Sequence, residues 1–374
     1  MNIKSFITAS VLLATGLVAN AQNQMPGKMH IGIVYPLSTN GTHAPLDTNN
    51  LSFNLLGGVS AAERGLAFAG LSNVVLHDAK GFLFAGFSNH VIKNADGGQF
   101  AGFLNTYGGG DGFAFAGFAN ISSGNVKGAQ FAGFANIAKE MNGAQFAGFG
   151  NVAKGGTASQ FAGFINIAKG VKGSQMAGFM NVAKDVKGSQ IAGFINIAKK
   201  VKGAQIAGFI NIAESSDFPI GIVNIIKNGE KSIGVSTNDN LTTMLTFRSG
   251  GRVLYGILGV GYNFKNDKEV YAAEAGMGAH FFQSNSFRLN TELTAMSLES
   301  FKHGEYFSSS FRVLPALKIA KFLEIYGGPS LNYVNTNTIE GKDLNKHYIS
   351  KWGNKGNDFQ GLYVGYTGGI QVIF

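Results

Sequence analysis

The sequence predicts an all-β protein in two parts: a β-solenoid repeat array with 15 to 16 residues per coil, and an antiparallel outer-membrane-type β-barrel of about eight strands. Three observations carry that expectation. A Gly followed three residues later by Asn recurs through the middle of the chain at near-constant spacing. The last third alternates apolar and polar residues over long strands and ends on Phe374. The composition, 54 Gly and 32 Phe in 374 residues with no Cys and only 14% charged residues, excludes a disulfide scaffold and a disordered chain.

In chain order, residues 1–21 read as an export signal. Lys4 precedes an apolar run from Phe6 to Val18, and Ala19-Asn20-Ala21 has the small-x-small pattern of a cleavage site. That run is too short for a membrane-spanning helix, which needs about 18 apolar residues or more. An exported chain without such a helix can still sit in a membrane as a closed barrel. Residues 22–60 form an N-terminal strand region. There Leu51, Phe53, Leu55, Gly57 and Val59 alternate with Ser52, Asn54, Leu56 and Gly58, so this segment is expected to close the barrel against the final strand.

Residues 61–228 are the repeat array. Its glycines fall at Gly70, Gly86, Gly102, Gly117, Gly133, Gly148, Gly163, Gly178, Gly193 and Gly208, each with its Asn, and a degenerate copy at Gly221 and Asn224 ends the series. Two Gly per unit and many β-branched residues oppose helix, so each unit is β, with K-G as a turn. Alternation through QFAGFINIAK puts Gln, Ala, the second Phe, Asn and Ala on one face. Two arrangements satisfy the period: one coil per copy, or one barrel strand per copy in an antiparallel meander, which would make a wide pore for solute or lipid. The solenoid accounts better for near-identical copies. Stacking like on like gives a structural ladder from Asn136, Asn151, Asn166, Asn181, Asn196 and Asn211, and a Phe ladder from Phe118 to Phe209.

Residues 229–374 follow barrel rules. Strands are expected over 241–248, 252–264, 270–282, 287–298, 306–320, 322–334 and at the carboxyl end. In the last strand Leu362, Val364, Tyr366, Ile370, Val372 and Phe374 share one face, with Tyr363, Thr367 and Gln371 on the other, the lipid-out and lumen-in dyad of such barrels. Lumen-facing charges on this scheme are Glu274, His280, Arg288, Glu292, Arg312, Lys318 and Glu324, which in a narrow barrel plug the interior.

No nucleophile motif, metal-ligand spacing or phosphate loop occurs, so the chain is read as non-enzymatic and without cofactor. The net charge of +9 is thinly spread and not interleaved with aromatics, which argues against nucleic acid as partner. Regular lysines, Lys139, Lys154, Lys169, Lys184 and Lys199 together with Lys172, Lys187 and Lys202, would line up as basic stripes on stacked coils. They either keep the rod soluble or contact lipopolysaccharide or an acidic polysaccharide.

The unit Gly-x-Gln-x-x-Gly-x-x-Asn, carried by Gly128, Gln130, Gly133 and Asn136 and by their counterparts Gly173, Gln175, Gly178, Asn181 and Gly188, Gln190, Gly193, Asn196, resembles the surface repeat-containing outer-membrane proteins of Gram-negative bacteria. Early copies depart from it, with Ala67, Leu83 and Ala114 in place of Gln. The resemblance implies location at the outer membrane and cell surface. The terminal strand resembles the signal read by the outer-membrane assembly machinery. Together these readings suggest a barrel anchor in outer-membrane lipid with an array acting in surface structure or adhesion.

Overall fold

The computed structural model describes residues 28–301, 305–353 and 359–374; the export-signal segment 1–21 and His303 lie outside them. The chain divides into two units, residues 1–133 and 134–374. Parallel coils occur in both, about 12 in all, and the second unit also contains a closed 8-strand antiparallel barrel.

In the first unit Met29–Val34 pairs in parallel with Thr48–Ser60, and Thr48–Ser60 pairs in parallel with Ala62–Ala69 and Ser72–Val75. The segment 51–59, expected to close the barrel, is therefore a coil of the solenoid. Alternation alone could not tell the two apart, because a solenoid leg with one face inward obeys the same period of two as a barrel strand. Further coils follow through Ser88–Ala101, Leu104–Ala116 and Ala119–Ala132.

In the second unit Ala135–Ala147, Gly150–Ala162, Ile165–Ala177 and Met180–Ala192 stack in parallel with like over like: Asn136 on Asn151, Gln145 on Gln160, Asn166 on Asn181. Copies that stack this way cannot be antiparallel barrel strands, so the wide-pore arrangement is excluded. Each coil bends back at its Gly-Phe pair. A Cβ on Gly178 would lie 2.2 Å from the Gly163 carbonyl oxygen, and one on Gly193 would lie 2.1 Å from that of Gly178. Only Gly lets successive bends approach so closely. The second Gly of the unit meets a different need, since Gly173, Gly188 and Gly203 have φ of 114°, 136° and 127°.

The bend also corrects the face assigned to the second Phe. Residues Gln175, Ala177, Asn166, Ala168 and Val171 point inward and are buried, whereas Phe179 projects outward. Strict alternation fails at the Gly-Phe bend because the chain there is no longer a pleated strand. Phe134, Phe149, Phe164, Phe179 and Phe194 are 38–42% exposed, and neighbouring rings stack face to face at 4.9 to 5.2 Å.

The barrel runs Glu230–Asn238, Thr242–Gly250, Leu254–Asn263, Tyr271–Phe281, Phe287–Glu299, Tyr306–Ala320, Leu323–Thr336 and Phe359–Ile373, each pairing antiparallel with the next. Glu230–Asn238 pairs with Phe359–Ile373 and closes it. Outward residues such as Leu258, Val260, Leu293, Phe311, Leu331 and Val364 are exposed, while Tyr363, Thr367 and Gln371 are buried. No helix among the described residues is long and apolar enough to cross a membrane, which says nothing of strands.

Candidate functional site: ladders, basic edge and filled lumen

In the regular coils of the second unit, such as Ile165–Ala177, the Asn-bearing and Gln-bearing legs face each other across a narrow interior. The Nδ2 of Asn166 donates to the Met176 carbonyl at 2.7 Å across that gap, and also to Oδ1 of Asn181 in the following coil at 3.0 Å. The same bond links Asn136 to Asn151, Asn151 to Asn166, Asn181 to Asn196, Asn196 to Asn211 and Asn211 to Asn224 at 2.9 to 3.0 Å. In the first unit it links Asn73, Asn89, Asn105 and Asn120 at 2.9 to 3.0 Å. The Gln amides run the other way: Nε2 of Gln160, Gln175, Gln190 and Gln205 each donates to Oε1 of the preceding Gln at 2.7 to 3.2 Å. Two side-chain ladders of opposed direction thus bond the interior amides from coil to coil.

The ladders end differently. Pro219 takes the Gln place in the last coil, and Oε1 of Gln205 has no partner. Asn224 instead meets the barrel: its backbone N–H donates to Ser249 Oγ at 2.9 Å and its Nδ2 to the Ser249 carbonyl at 3.1 Å. In the first unit the buried Glu63 stands beneath Asn49 and Ser52, which donate to it at 3.1 and 2.8 Å. Burial pushes its carboxyl above the ordinary 4.5, against the lowering by those donors.

Lys139, Lys154, Lys169, Lys184 and Lys199 are all exposed, as are Lys172, Lys187 and Lys202. Lys172, Lys187 and Lys202 stand in direct register, one per coil. Both stripes lie where the chain crosses between legs, at the far end of each coil from the Gly-Phe bend. Coil spacing puts like charges about 4.8 Å apart. Local relief is slight: Lys199 meets Glu214 at 3.7 Å with both side chains solvated.

The barrel interior is filled by charge. Arg248 Nε lies 2.8 Å from Glu292, which also accepts from Tyr255 at 3.1 Å. Arg312 pairs with Glu274 and reaches Glu292 at 3.6 Å. Arg288 bridges Glu230 at 2.6 Å and Glu324 at 2.8 Å. His280 lies 3.7 Å from Glu230 and within 2.7 Å of Asn290. Of the lumen residues read from sequence, Glu274, His280, Arg288, Glu292, Arg312 and Glu324 are buried there. Lys318 is not: it is half-buried two residues from the end of its strand, where the interior opens to solvent. Sequence reasoning missed Arg248 and Glu230. Glu230 belongs to the closing strand, whose signal was the alternation of Ile233 and Val235 with Ser232, Gly234 and Ser236.

Among the described residues no group of three or more His, Cys, Asp or Glu side chains is arranged to hold a metal ion. No family model, no curated protein and no solved structure matches the chain.

Proposed function

We propose that this is a non-enzymatic outer-membrane protein in which the barrel is a sealed anchor and the array is a structural scaffold whose basic edge holds an acidic polysaccharide. The observation that carries the reading is the register of Lys172, Lys187 and Lys202, one charge per coil. At about 4.8 Å these ammonium groups stand closer than the Debye length of about 8 Å in physiological salt, so they repel, and a polyanion laid along the stripe relieves that repulsion. Membership of the surface repeat family rests on the repeat unit, and delivery by the assembly machinery rests on the terminal strand.

Loop lengths support one orientation of the barrel. Short turns at 251–253, 282–286 and 321–322 share one end with both ends of the barrel chain, whereas the other end carries the short turn 239–241 together with the longer connections 264–270 and 337–358. In outer-membrane barrels short turns are periplasmic. Only residues 227–229 join the last coil to the first barrel strand, a reach of about 10 Å against a hydrocarbon core of about 30 Å. The array accordingly belongs on the periplasmic side in this proposal, rather than at the cell surface that the sequence suggested, and lipopolysaccharide, on the far leaflet, gives way to a periplasmic acidic glycan.

The test is retention on immobilised polyuronate against neutral dextran, using the full chain in detergent. The expected result is retention that salt abolishes and that Lys→Gln at 169, 172, 184, 187, 199 and 202 together removes. Equal behaviour of the two proteins would reduce the stripes to a solubilising surface. In planar bilayers the same protein is expected to show no conductance, because charged side chains occupy the lumen.

A further inference from the structure

The array is built inside out. Its interior holds amides, Ala and Val, whereas its bulkiest apolar side chains stand outside at the Gly-Phe bend. In the second unit the exposed ring edges of Phe134 through Phe194 are flanked on one leg by Phe146 and Met176 and on the other by Ile137 and Ile167, all exposed. With about 150–250 Å² per aromatic side chain, this edge offers roughly 700 Å² of apolar surface, above the 300–600 Å² of the largest patch on an ordinary soluble monomer. Like-over-like stacking makes it continuous from coil to coil.

One contact says what covers it. The ladder Met176, Ile191, Ile206 ends on Ile220. Pro219, Ile220 and Gly221 share an apolar groove with Leu254, Met277, Leu293 and Phe311 of the outer barrel wall. The last coil lies against the wall itself, since a Cβ on the outward-facing Gly256 would meet the Gly221 and Ile222 carbonyl oxygens at 2.1 Å. Leu293 is midway along its strand, Phe287–Glu299, so the end of the ladder stands beside the part of the barrel that faces hydrocarbon if the barrel spans a membrane.

We infer that the apolar edge of the second unit's coils lies in the lipid of the same membrane, so that these coils sit half-sunk in the periplasmic leaflet with their lysines turned away from it. This inference rests on the barrel reading above and deepens it. The bilayer is the occupant that matches the edge: it is apolar throughout, it has no register to satisfy, and it is contiguous with the barrel wall at Ile220. An amphipathic surface element of this kind sinks its apolar face about 5–10 Å into the headgroup and acyl boundary.

The experiment places single indoles in the full chain carrying Trp352→Phe, reconstituted in phosphatidylcholine vesicles with or without brominated acyl chains. Phe164→Trp and, as a second site against misfolding of the first, Ile167→Trp report the apolar edge. Leu331→Trp reports the barrel wall and Lys172→Trp the basic edge. Expected is about twofold quenching by brominated lipid at 164, 167 and 331, and none at 172. Quenching at 331 without quenching at 164 and 167 overturns the inference and leaves the barrel reading intact. If light scattering then gives a dimer, the edge belongs to a second copy. Absence of quenching at all four sites removes the barrel reading, and this inference with it.

Discussion

Replacing Asn166 by Ala tests the ladder where it is most regular. The amide is fully buried; it donates to Met176 O at 2.7 Å and to Asn181 Oδ1 at 3.0 Å, and it accepts from Asn151 Nδ2 at 2.9 Å. Alanine leaves the Met176 and Asn181 oxygens without their donor and takes one acceptor from Asn151. At about 1–3 kcal/mol for each buried group left unpaired, and with Asn151 keeping its bond to Phe161 O at 2.8 Å, the cost is roughly 3–6 kcal/mol. Each coil touches only its neighbours, so the loss is local. Hydrogen exchange in detergent is the assay: amides of residues 150–192 should lose about a hundredfold to ten-thousandfold of their protection, at about 1.4 kcal/mol per decade, while barrel amides keep theirs. Lys169→Ala on the same coil should change protection by under about threefold, equivalent to about 0.5 kcal/mol. Should Asn166→Ala behave like Lys169→Ala, the amide ladder is not what holds the coils in register.

Other expectations are equally specific. Gly178→Ala places a Cβ 2.2 Å from the Gly163 oxygen and must push two coils apart, so it should cost at least as much as Asn166→Ala by the same exchange measurement, whereas Ser174→Ala should be near neutral. Burial raises the folded-state carboxyl of Glu63, so the folded chain holds its proton more tightly than the unfolded one; stability of the first coils is greatest at acid pH and falls as pH rises above 4.5, and Glu63→Gln should flatten that profile and stabilise at pH 7 in denaturant titrations. Arg312→Ala leaves the buried Glu274 and Glu292 short of a cation and should destabilise the barrel by about 3–5 kcal/mol, read as a lower temperature for loss of folded gel mobility, with Glu274→Gln restoring part of it.

How far the sequence disclosed this architecture depended on whether one residue's environment determined its neighbour's. Near-identical copies implied stacking in register, because only like over like makes Asn136 through Asn211 equivalent. The last strand was equally plain, since its alternation separates Val364 and Val372, which stand on the outer wall, from Gln371, which is buried in the lumen. Failures came where parity breaks or degenerates. Phe179 changes sides because Gly178 bends the chain, and a period of two carries no warning of a bend. Segment 51–59 and strand Glu230–Asn238 both alternate, but the second does so with only Ile233 and Val235 as bulky residues and passes for a linker. The basic stripes were visible as spacing. That they stand opposite an apolar edge was not, because it follows from where the coil turns.

The opposed ladders explain why Asn persists to the last coil although Gln does not. A run of aligned amides has a donor end and an acceptor end, each with a group to satisfy. The Gln run stops against Pro219 and leaves Oε1 of Gln205 unpaired inside the protein. The Asn run points the other way, so its final group is a donor, and Asn224 delivers it to the Ser249 carbonyl on the barrel wall while Ser249 Oγ accepts from the Asn224 backbone. The ladder that stiffens the rod is thereby the one that fastens it. Ser249→Ala removes only the hydroxyl, at about 1–3 kcal/mol for a buried N–H left unpaired. Its effect should appear as raised exchange in residues 215–226 with the barrel strands unchanged; raised exchange throughout the barrel instead would mean that the rod braces the barrel rather than the reverse.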